Sequence, residues 1–296
     1  MRPVGLQSRI ALLGLCFLCA AGTASAQISK VKSVQPPFAT RVRHTVVLLG
    51  ITDGRGGIGL AGTASLATAR GINLLLTARH VVVDPQTGRF QDLSVIVTKK
   101  DGTTRVERLA EHTSRTKVGW FFHSRPDVDI AVLPFDTDAA SDEVLRIPES
   151  RFVRIASVIE TYDVLYPAFQ NGLDSTGSFV PIIRSGMVSR INANKTFYVD
   201  GFGFPGNSGA PVFLKPSLVR YGDRGKADED PIAGGLIGFV VGYQPYSEVA
   251  VSQQTGKPRV VFEENSGLTL VWPVDYLLEI LDQDAFKKTA DRLGGK

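Results

Sequence analysis

The chain has 296 residues, of which 43% are hydrophobic and 21% charged, and its formal net charge at pH 7 is +4. This mild charge, without any block of basic residues, gives no support for nucleic-acid binding. Both cysteines, Cys16 and Cys19, lie within the first two dozen residues, so the rest of the chain must be stabilised by its core without a disulfide.

The N-terminal segment has the layout of a secretory signal peptide. Two arginines precede or flank an apolar run, Ile10–Ala21, and Ala24-Ser25-Ala26 forms an A-x-A pattern ahead of Gln27. The apolar run is shorter than the roughly 20 residues that a spanning helix needs, and a retained N-terminal anchor is the alternative. We predict a signal peptide over residues 1–26, cleavage after Ala26, and a secreted or periplasmic mature protein with no stable membrane association. Loss of the two arginines leaves a mature charge of about +2.

The mature sequence, residues 27–296, consists of short apolar runs separated by glycine, proline, asparagine and aspartate, which is typical of an all-β sandwich or barrel. Strands and helices do not alternate over long stretches, which argues against a doubly wound α/β fold. The predicted strands are Thr45–Leu49, Ile58–Leu66, Asn73–Thr77, Leu93–Thr98, Thr104–Leu109, Ile130–Pro134, Phe152–Ala156, Gly186–Ile191, Phe197–Val199, Pro211–Leu214, Leu236–Gly242, Arg259–Phe262 and Leu268–Trp272.

Two segments depart from the strand pattern. Lys215–Pro231 is rich in charged residues and turn formers, which predicts a surface loop inserted between two strands. After Pro273, a residue that suits a helix start, apolar residues recur at i, i+3, i+4 and i+7, namely Val274, Leu277, Leu278 and Leu281. This period predicts an amphipathic C-terminal helix over residues 273–293.

Two segments place a histidine and an aspartate in settings that suit acyl-transfer chemistry. The apolar run Leu74–Thr77 ends just before His80 and delivers it at the mouth of a strand. Asp129 stands directly before four apolar residues, and a buried carboxylate there needs hydrogen bonds, for which an imidazole N–H is a suitable donor. Asp127 is the rival carboxylate, but it follows Pro126 and is expected to be more exposed.

A third segment, Gly203–Val212, carries a serine between glycines. A serine in such a tight loop presents its hydroxyl free of neighbouring side chains. Gly206 allows the backbone to turn so that its own N–H and that of Ser208 point into one small space, where an oxyanion could bind.

The remaining histidines give no indication of a metal site. They are scattered, no H-x-x-x-H pair occurs, and the mature chain lacks cysteine. His112 and His123 are predicted to be surface or loop residues. No cofactor is required by any motif in the sequence.

The three motifs TARHV, DIAVL and GNSGAP, in the order His, Asp, Ser, together resemble the trypsin-like (chymotrypsin-fold) serine peptidases. The form without disulfides and with asparagine before the serine is most similar to bacterial members such as the HtrA/Deg protease domain, here without a PDZ domain after it. The resemblance extends from Val46 to Asp282, because Ser185–Ser189, Asp200, Gly235–Gly238 and Leu268–Pro273 follow the same pattern.

This resemblance implies an all-β fold of two six-stranded antiparallel β-barrels, over about residues 40–145 and 146–272, followed by the C-terminal helix. It implies Ser208 as the nucleophile, His80 as the general base and Asp129 as the residue that orients the imidazole. The backbone N–H groups of Gly206 and Ser208 would form the oxyanion hole.

The resemblance also implies where a substrate binds. An extended peptide would pair with the strand at Phe239, Val240 and Val241. Phe202 would lie near the floor of the pocket for the residue before the cut, which favours apolar or small side chains there.

The sequence departs from the family pattern at three places. Arg79 replaces a small residue or asparagine, Ala210 replaces a second glycine, and Phe239 or Val240 stands where many members have a serine that supports the aspartate. None of these changes removes a reacting group. We therefore predict an exported serine endopeptidase that acts on peptides or proteins through an acyl-enzyme. The alternatives are a catalytically silent binding protein of the same fold and an esterase-like hydrolase.

Overall fold

A computed structural model of the chain describes residues 38–52, 57–172, 179–216 and 234–295. The predicted signal peptide, its cleavage site and most of the Lys215–Pro231 loop lie outside these residues. The described part begins with a short helix, α1 (Phe38–Arg43), and then forms two β-sheets followed by two helices. Within the described ranges, no helix is both long enough and apolar enough to cross a membrane.

The first sheet has eight strands, arranged in the order β5-β4-β1-β2-β3-β7-β6 with β8 beside β2. All its pairings are antiparallel except the short parallel one between β2 and β8. Helices α2 (Arg79–Val82) and α3 (Leu109–Thr116) follow its third and fifth strands. In chain order the strands are β1 (Val46–Thr52), β2 (Ile58–Ala69), β3 (Ile72–Thr77), β4 (Ser94–Thr98), β5 (Thr104–Arg108), β6 (Phe121–Phe122), β7 (Ala131–Pro134) and β8 (Ile147–Pro148).

The prediction of a closed six-stranded first barrel is therefore wrong in strand number and in closure. Among the described residues, the two end strands β5 and β6 do not pair with each other. The strand β5 has no buried residue and carries Arg105, Glu107 and Arg108, which is typical of an edge strand exposed to solvent. The strand β6 is only two residues long, so it offers little backbone for closing a barrel.

The second sheet is a closed six-stranded antiparallel barrel, in the order β10-β11-β14-β13-β12-β9, which confirms the prediction for this half. Its interior is filled by apolar side chains from every strand, such as Tyr166, Val188, Phe197 and Val271. The strands are β9 (Asp163–Ala168), β10 (Ile182–Ile191), β11 (Phe197–Asp200), β12 (Pro211–Leu214), β13 (Leu236–Val251) and β14 (Pro258–Pro273).

Some strand predictions differ from the structure. The strand β9 was missed, because Pro167 in its middle weakens the strand pattern. The predicted strand Phe152–Ala156 is instead an irregular segment that follows one 3₁₀ turn and enters a second one at Ile155, with a single bridge from Phe152 to Leu236. The predicted strands Arg259–Phe262 and Leu268–Trp272 are both parts of β14, which runs without interruption through the acidic residues between them.

The single predicted C-terminal helix is two helices, α4 (Val274–Leu281) and α5 (Asp284–Gly294). The chain leaves helical geometry at Gln283, the extended N-cap of α5, which has φ −64° and ψ 140°. Seven of the eight residues of α4 are buried. Both helices pack into a cluster that also contains Leu74 of the first sheet and Trp272 of the second, so they contribute to one core with both sheets.

His112 is buried in α3, so the prediction that it is a surface or loop residue is wrong. His123 lies in the loop after β6, as predicted, but it is buried. His112 Nε2 lies 3.0 Å from the carbonyl of Pro134, and its Nδ1 lies 3.1 Å from Glu107. His123 Nε2 lies 2.8 Å from a carboxylate oxygen of Glu279. Each ring is satisfied by hydrogen bonds, which is the condition for burying a polar group. Among the described residues, neither ring shares a hydrogen bond with Ser208.

Glu107 is the carboxylate that faces His112. Burial raises the pKa of Glu107, but hydrogen bonds from Arg115, His112 and Arg105 outweigh burial and hold the pKa below its ordinary value. The charged carboxylate is therefore favoured in the folded protein, and the cluster is a structural network rather than a second reactive site.

Replacing Phe286 with alanine tests whether α5 belongs to the common core. The ring of Phe286 is fully buried and meets Phe121 edge-on at 5.1 Å between ring centroids. Phe286→Ala should lower the free energy of unfolding by about 3–5 kcal/mol in urea titrations. The matched control is Phe90→Ala, because Phe90 is 64% exposed, and it should change stability far less. Equal small effects at both positions would contradict the packing of α5.

Candidate active site

The histidine and aspartate are brought together by two neighbouring strands. His80 lies in α2, three residues beyond the end of β3, and Asp129 lies two residues before β7. Because β3 and β7 pair antiparallel, with Thr77 opposite Ala131, the end of one strand lies beside the start of the other. The His80 backbone N–H donates to Asp129 Oδ1 at 2.9 Å, and His80 Nδ1 lies 2.6 Å from Asp129 Oδ2. The carboxylate therefore holds both the backbone and the ring of His80.

The serine completes a row of three side chains. Ser208 Oγ lies 3.0 Å from His80 Nε2, on the opposite side of the ring from Asp129. With Nδ1–H donating to the carboxylate, Nε2 is the free acceptor for the serine hydroxyl. The side chains of His80 and Asp129 are 34% and 23% exposed, so the row is open to a substrate from solvent.

Asp127, the rival carboxylate, is engaged elsewhere. Its Oδ2 accepts a hydrogen bond from Arg125 at 2.6 Å, and its side chain is 58% exposed. The hydrogen bond from the Arg125 guanidinium holds the pKa of Asp127 below its ordinary value. The carboxylate that faces His80 is thus Asp129, as its apolar sequence neighbours indicated.

The loop that carries Ser208 has a backbone that requires glycine on both sides of the serine. Gly206 has φ +96° and Gly209 has φ +86°, a region that side-chain-bearing residues rarely adopt. A Cβ on Gly209 would lie 2.1 Å from the carbonyl oxygen of Thr63. Asn207, which is 1% exposed, donates from Nδ2 to the carbonyl of Phe169 at 2.8 Å and accepts from the Phe204 N–H at 2.9 Å.

Thr63, in a strand of the first sheet, holds this loop, which itself belongs to the second barrel. Thr63 Oγ1 donates to the carbonyl of Gly206 at 2.7 Å and accepts from the Phe169 N–H at 3.0 Å. The Thr63 backbone N–H donates to the carbonyl of Ser208 at 2.9 Å. Thr63 is fully buried in β2, so a side chain and a backbone group of one strand fix the carbonyls on both sides of Asn207.

Two further buried hydroxyls hold the serine loop together with Thr63, and we call this set of hydrogen bonds the clamp. Ser65 Oγ donates to the carbonyl of Gly209 at 3.1 Å, and Thr77 Oγ1 donates to the carbonyl of Thr63 at 2.8 Å. Sequence reasoning missed these residues. Thr63 and Ser65 are two positions apart in a strand and therefore face the same side, so the pair of hydroxyls in an otherwise apolar run was the available signal.

These hydrogen bonds engage the carbonyl groups of the serine loop rather than the N–H groups of Gly206 and Ser208. In the described part of the chain, the N–H groups of Gly206 and Ser208 have no backbone acceptor, whereas the N–H of Asn207 between them donates to Phe204. Two N–H groups on either side of a fixed peptide unit form an arrangement that suits a developing oxyanion.

The strand predicted to bind a peptide is only partly available. Phe239 is fully buried in the core and pairs with Pro211 and Trp272 on its two sides. Val240 is 1% exposed, and both its backbone groups bond the serine segment, at Gly209 and Ala210. Neighbouring strands thus occupy both sides of Phe239 and both backbone groups of Val240, and the substrate contact of these two residues stays a prediction.

Val241 differs from these two residues. The pairing of β13 with β14 passes from Val240–Val271 to Gly242–Leu270, which leaves Val241 as the extra residue of a β-bulge. Its side chain is half-buried between the clusters of the two sheets. Of the three predicted strand residues, Val241 is the one whose backbone is displaced from the regular ladder.

Phe202, the residue predicted near the floor of the pocket for the residue before the cut, combines an anchored backbone with an exposed ring. Its carbonyl accepts a hydrogen bond from Tyr166 Oη at 3.0 Å, while its ring is 53% exposed and stacks on Phe204 with centroids 6.1 Å apart. Burial raises the pKa of Tyr166, so this residue stays a neutral donor. The backbone of Phe202 is therefore anchored while its ring lies at the surface, and its place near the pocket floor stays a prediction.

Arg79, one of the departures from the family pattern, does not disturb the row formed by Asp129, His80 and Ser208. The guanidinium of Arg79 lies over the ring of Phe122, 5.0 Å from its centroid, and donates a hydrogen bond to the carbonyl of Pro126. Among the described residues, no group of three metal-ligating side chains is found. The chemistry that the geometry supports is therefore that of the serine, the imidazole and the carboxylate.

Solved structures similar to this chain include HtrA-type proteases at low sequence identity. An HtrA-type protease AlgW variant with a tripeptide is 19% identical, with 82% of this chain and 61% of that chain covered and a TM-score of 0.46. A serine endoprotease from Yersinia pestis is 15% identical, with 87% and 66% covered and a TM-score of 0.47. The thermostable serine protease AL20 from an extremophilic microorganism is 12% identical, with 80% and 95% covered and a TM-score of 0.49.

The chain spans less than two thirds of the length of the first of these structures. A search of curated proteins found no match. The family model described as a trypsin-like peptidase domain matches residues 62–217, a span that contains His80, Asp129 and Ser208 and more than half of the sequence. The chain therefore belongs to the trypsin-like peptidase domain family.

Proposed function

We propose that the protein is an exported serine endopeptidase that hydrolyses peptide bonds through an acyl-enzyme. The observation that carries this proposal is the hydrogen-bonded row from Asp129 through His80 to Ser208, with distances of 2.6 and 3.0 Å. Membership of the trypsin-like peptidase family supports it.

In the acylation step, Ser208 Oγ attacks the carbonyl carbon of the scissile peptide bond and gives its proton to His80 Nε2. Asp129 holds the ring through Nδ1 and stabilises the imidazolium that forms. The proton then passes from Nε2 to the leaving amine as the C–N bond breaks, which leaves an ester on Ser208. In deacylation, water gives a proton to Nε2 and attacks the ester, and the proton returns to Ser208 Oγ.

Negative charge on the attacked oxygen is stabilised by the N–H groups of Gly206 and Ser208. Fixed donors contribute most when they need no reorganisation during the reaction. Thr63 supplies this rigidity, because its two hydrogen bonds hold the Gly206 and Ser208 carbonyls. We therefore assign Thr63 the role of a positioning residue.

The substrate is an extended peptide that lies along the bulge at Val241. Phe202 and the segment around Gly267 border the adjoining surface, where a Cβ on Gly267 would lie 3.7 Å from the Phe202 ring. Apolar and aromatic walls favour an apolar or small side chain before the cut.

Labelling with a fluorophosphonate probe tests the nucleophile. The mature wild-type protein should form an adduct at Ser208, and Ser208→Ala should lose the adduct and lower peptidase turnover by about 10⁴–10⁶-fold with unchanged stability. Ser157→Ala, at an exposed serine, is the control and should retain both. A folded sample that takes no label would favour the silent binding protein. An adduct together with ester but no peptide hydrolysis would favour the esterase.

Removing the Thr63 hydroxyl tests the positioning role. Thr63→Val leaves the Gly206 carbonyl and the Phe169 N–H without their partner, and should lower the free energy of unfolding by about 1–3 kcal/mol. It should also lower kcat about 10–100-fold with little change in KM, because the oxyanion donors lose their fixed position. Thr63→Ser keeps the hydroxyl and should recover most of both losses. A destabilised Thr63→Val with wild-type kcat would contradict the role.

Export is tested by the N-terminus of the processed protein. The A-x-A pattern at Ala24–Ala26 supports cleavage before Gln27. When the full sequence is expressed in a bacterial host, intact-mass measurement of the protein in the exported fraction should find a chain that starts at Gln27. A chain that keeps Met1 in the cytoplasmic fraction would contradict export.

A further inference from the structure

The carboxylate of Asp129 is bonded to one residue alone. Its Oδ1 accepts from the His80 backbone N–H, its Oδ2 lies 2.6 Å from His80 Nδ1, and no other hydrogen bond to this side chain occurs in the described ranges. The pairing of β3 with β7 places the backbone of Asp129 beside His80, but Asp129 itself precedes β7 by two residues. The orientation of the carboxylate therefore depends on the loop that carries it.

This loop, residues 123–130, joins β6 to β7, and we call it the acid loop. Val128 and Ile130, on either side of Asp129, are fully buried. Both belong to the same apolar cluster as the buried side chains of α4, namely Val274, Tyr276, Leu277, Leu278, Ile280 and Leu281. Burial of both neighbours restrains the backbone at Asp129, so packing already connects the end of the acid loop to α4.

Polar side chains in and after α4 bind the start of the acid loop. Glu279 Oε2 lies 2.8 Å from His123 Nε2, and Gln283 Nε2 donates to the carbonyl of the residue before His123 at 3.0 Å. The guanidinium of Arg125 lies over the ring of Tyr276, 5.5 Å from its centroid. Tyr276 and Glu279 are three residues apart and therefore lie on the same face of the helix. This face of α4 thus contacts the acid loop at more than one point.

His123 is the buried link between the helix and the loop. Its side chain is 6% exposed, and its Nδ1 accepts a hydrogen bond from the Arg125 backbone N–H at 3.1 Å. Because a backbone N–H can only donate, Nδ1 carries no proton and the Nε2–H donates to Glu279. The Arg125 carbonyl in turn accepts from the Val128 N–H at 3.3 Å, one residue before Asp129. One ring therefore holds the turn of the acid loop and ties it to α4.

The first turn of α4 is bonded to the second half of the chain. Asp275 is 4% exposed, and its Oδ2 accepts from the Ile155 N–H at 2.8 Å. Tyr276 Oη donates to the carbonyl of Asn194, between β10 and β11, at 2.7 Å. The helix also follows β14 directly. Since α4 is fixed on the barrel that carries Ser208, it is a firm support for the acid loop.

We propose that α4 orients the carboxylate of Asp129, with Glu279 and His123 as positioning residues for acyl transfer. Without the hydrogen bond between these two side chains, the start of the acid loop is free to move, and the carboxylate no longer holds the ring of His80 in one orientation. A misplacement of about 1 Å can slow a reaction roughly 100-fold. The role assigned to α4 rests on the proposed function, because it concerns the same reactive row.

Glu279 is the residue to change first, because its side chain is 48% exposed and its loss leaves no cavity in the core. Glu279→Ala should lower kcat about tenfold with little change in KM, and should slow fluorophosphonate labelling of Ser208 by a similar factor. Glu279→Gln keeps an oxygen that accepts from His123 and should recover most of both losses. Asp291→Ala, at an exposed carboxylate of α5, is the matched control and should behave as wild type.

His123→Asn separates the two hydrogen bonds of the ring. An asparagine side chain can accept from the N–H two residues further on, so the turn at Arg125 is kept, but it is too short to reach Glu279. This variant should show the same loss of kcat as Glu279→Ala. The double variant should lose no more than either single one, because both remove the same interaction. Urea unfolding of each variant checks that the fold is kept.

The Asp129→Asn background distinguishes positioning from a general structural effect. In this background, Glu279→Ala should leave the rate of labelling at high probe concentration unchanged, because there is no carboxylate left to orient. The downfield proton NMR signal of His80 Nδ1–H, which a short charge-assisted hydrogen bond produces, should be weakened in Glu279→Ala and kept in Glu279→Gln. This signal requires no turnover.

A folded wild-type protein without labelling or peptide cleavage would contradict the proposed function, while the NMR signal would still decide the role of α4. An unchanged signal and unchanged labelling in Glu279→Ala would overturn that role. An equal loss in Asp291→Ala, no recovery in Glu279→Gln, or a loss that persists in the Asp129→Asn background would also overturn it.

Discussion

The hydrogen bond from Thr63 Oγ1 to the carbonyl of Gly206 is the interaction on which the site depends. It joins a strand of the first sheet to the serine loop of the second, in a place where neither group reaches solvent. A buried carbonyl left without a donor costs about 1–3 kcal/mol. The loop is therefore stable in this shape only when β2 is in place beside it. Gly209 shows the same dependence, because a side chain there would collide with the Thr63 carbonyl.

The three reacting side chains reach their positions by two different routes. His80 and Asp129 belong to one sheet and are set by the pairing of β3 with β7, so they are aligned by local strand register. Ser208 belongs to the second barrel, and hydrogen bonds between the two sheets fix its position. A change that loosens the contact between the sheets would move the serine relative to the other two, whereas His80 and Asp129 would stay together. The hydrogen bonds of Thr63 are thus the contacts through which packing of the two sheets fixes Ser208 relative to His80 and Asp129.

Local patterns allowed the three residues of the row to be located from the sequence. A strand end before His80, an apolar run after Asp129 and glycines around Ser208 are features of a few neighbouring residues. The short apolar runs predicted an all-β sandwich or barrel. The closed second barrel was implied only by the resemblance to the peptidase family. The open first sheet could not be predicted, because it depends on which distant strands pair and on the two-residue strands β6 and β8. For the same reason, the sequence did not show that Val240 uses its backbone to bond the serine segment.

The long hairpin of β13 and β14 does not follow the usual alternation of apolar and polar residues in a β-sheet. In a sheet with one buried face, apolar and polar residues alternate, but Val260, Val261 and Phe262 follow one another on a ribbon that has no covered face. Glu263 and Glu264 interrupt this apolar run, and the two halves of β14 were therefore predicted as separate strands. Positions that break a local rule without compensation inside the chain are expected where another molecule supplies it. Val260, Val261 and Phe262 therefore stay exposed on β14, which distinguishes this hairpin from the barrel strands whose apolar residues fill an interior.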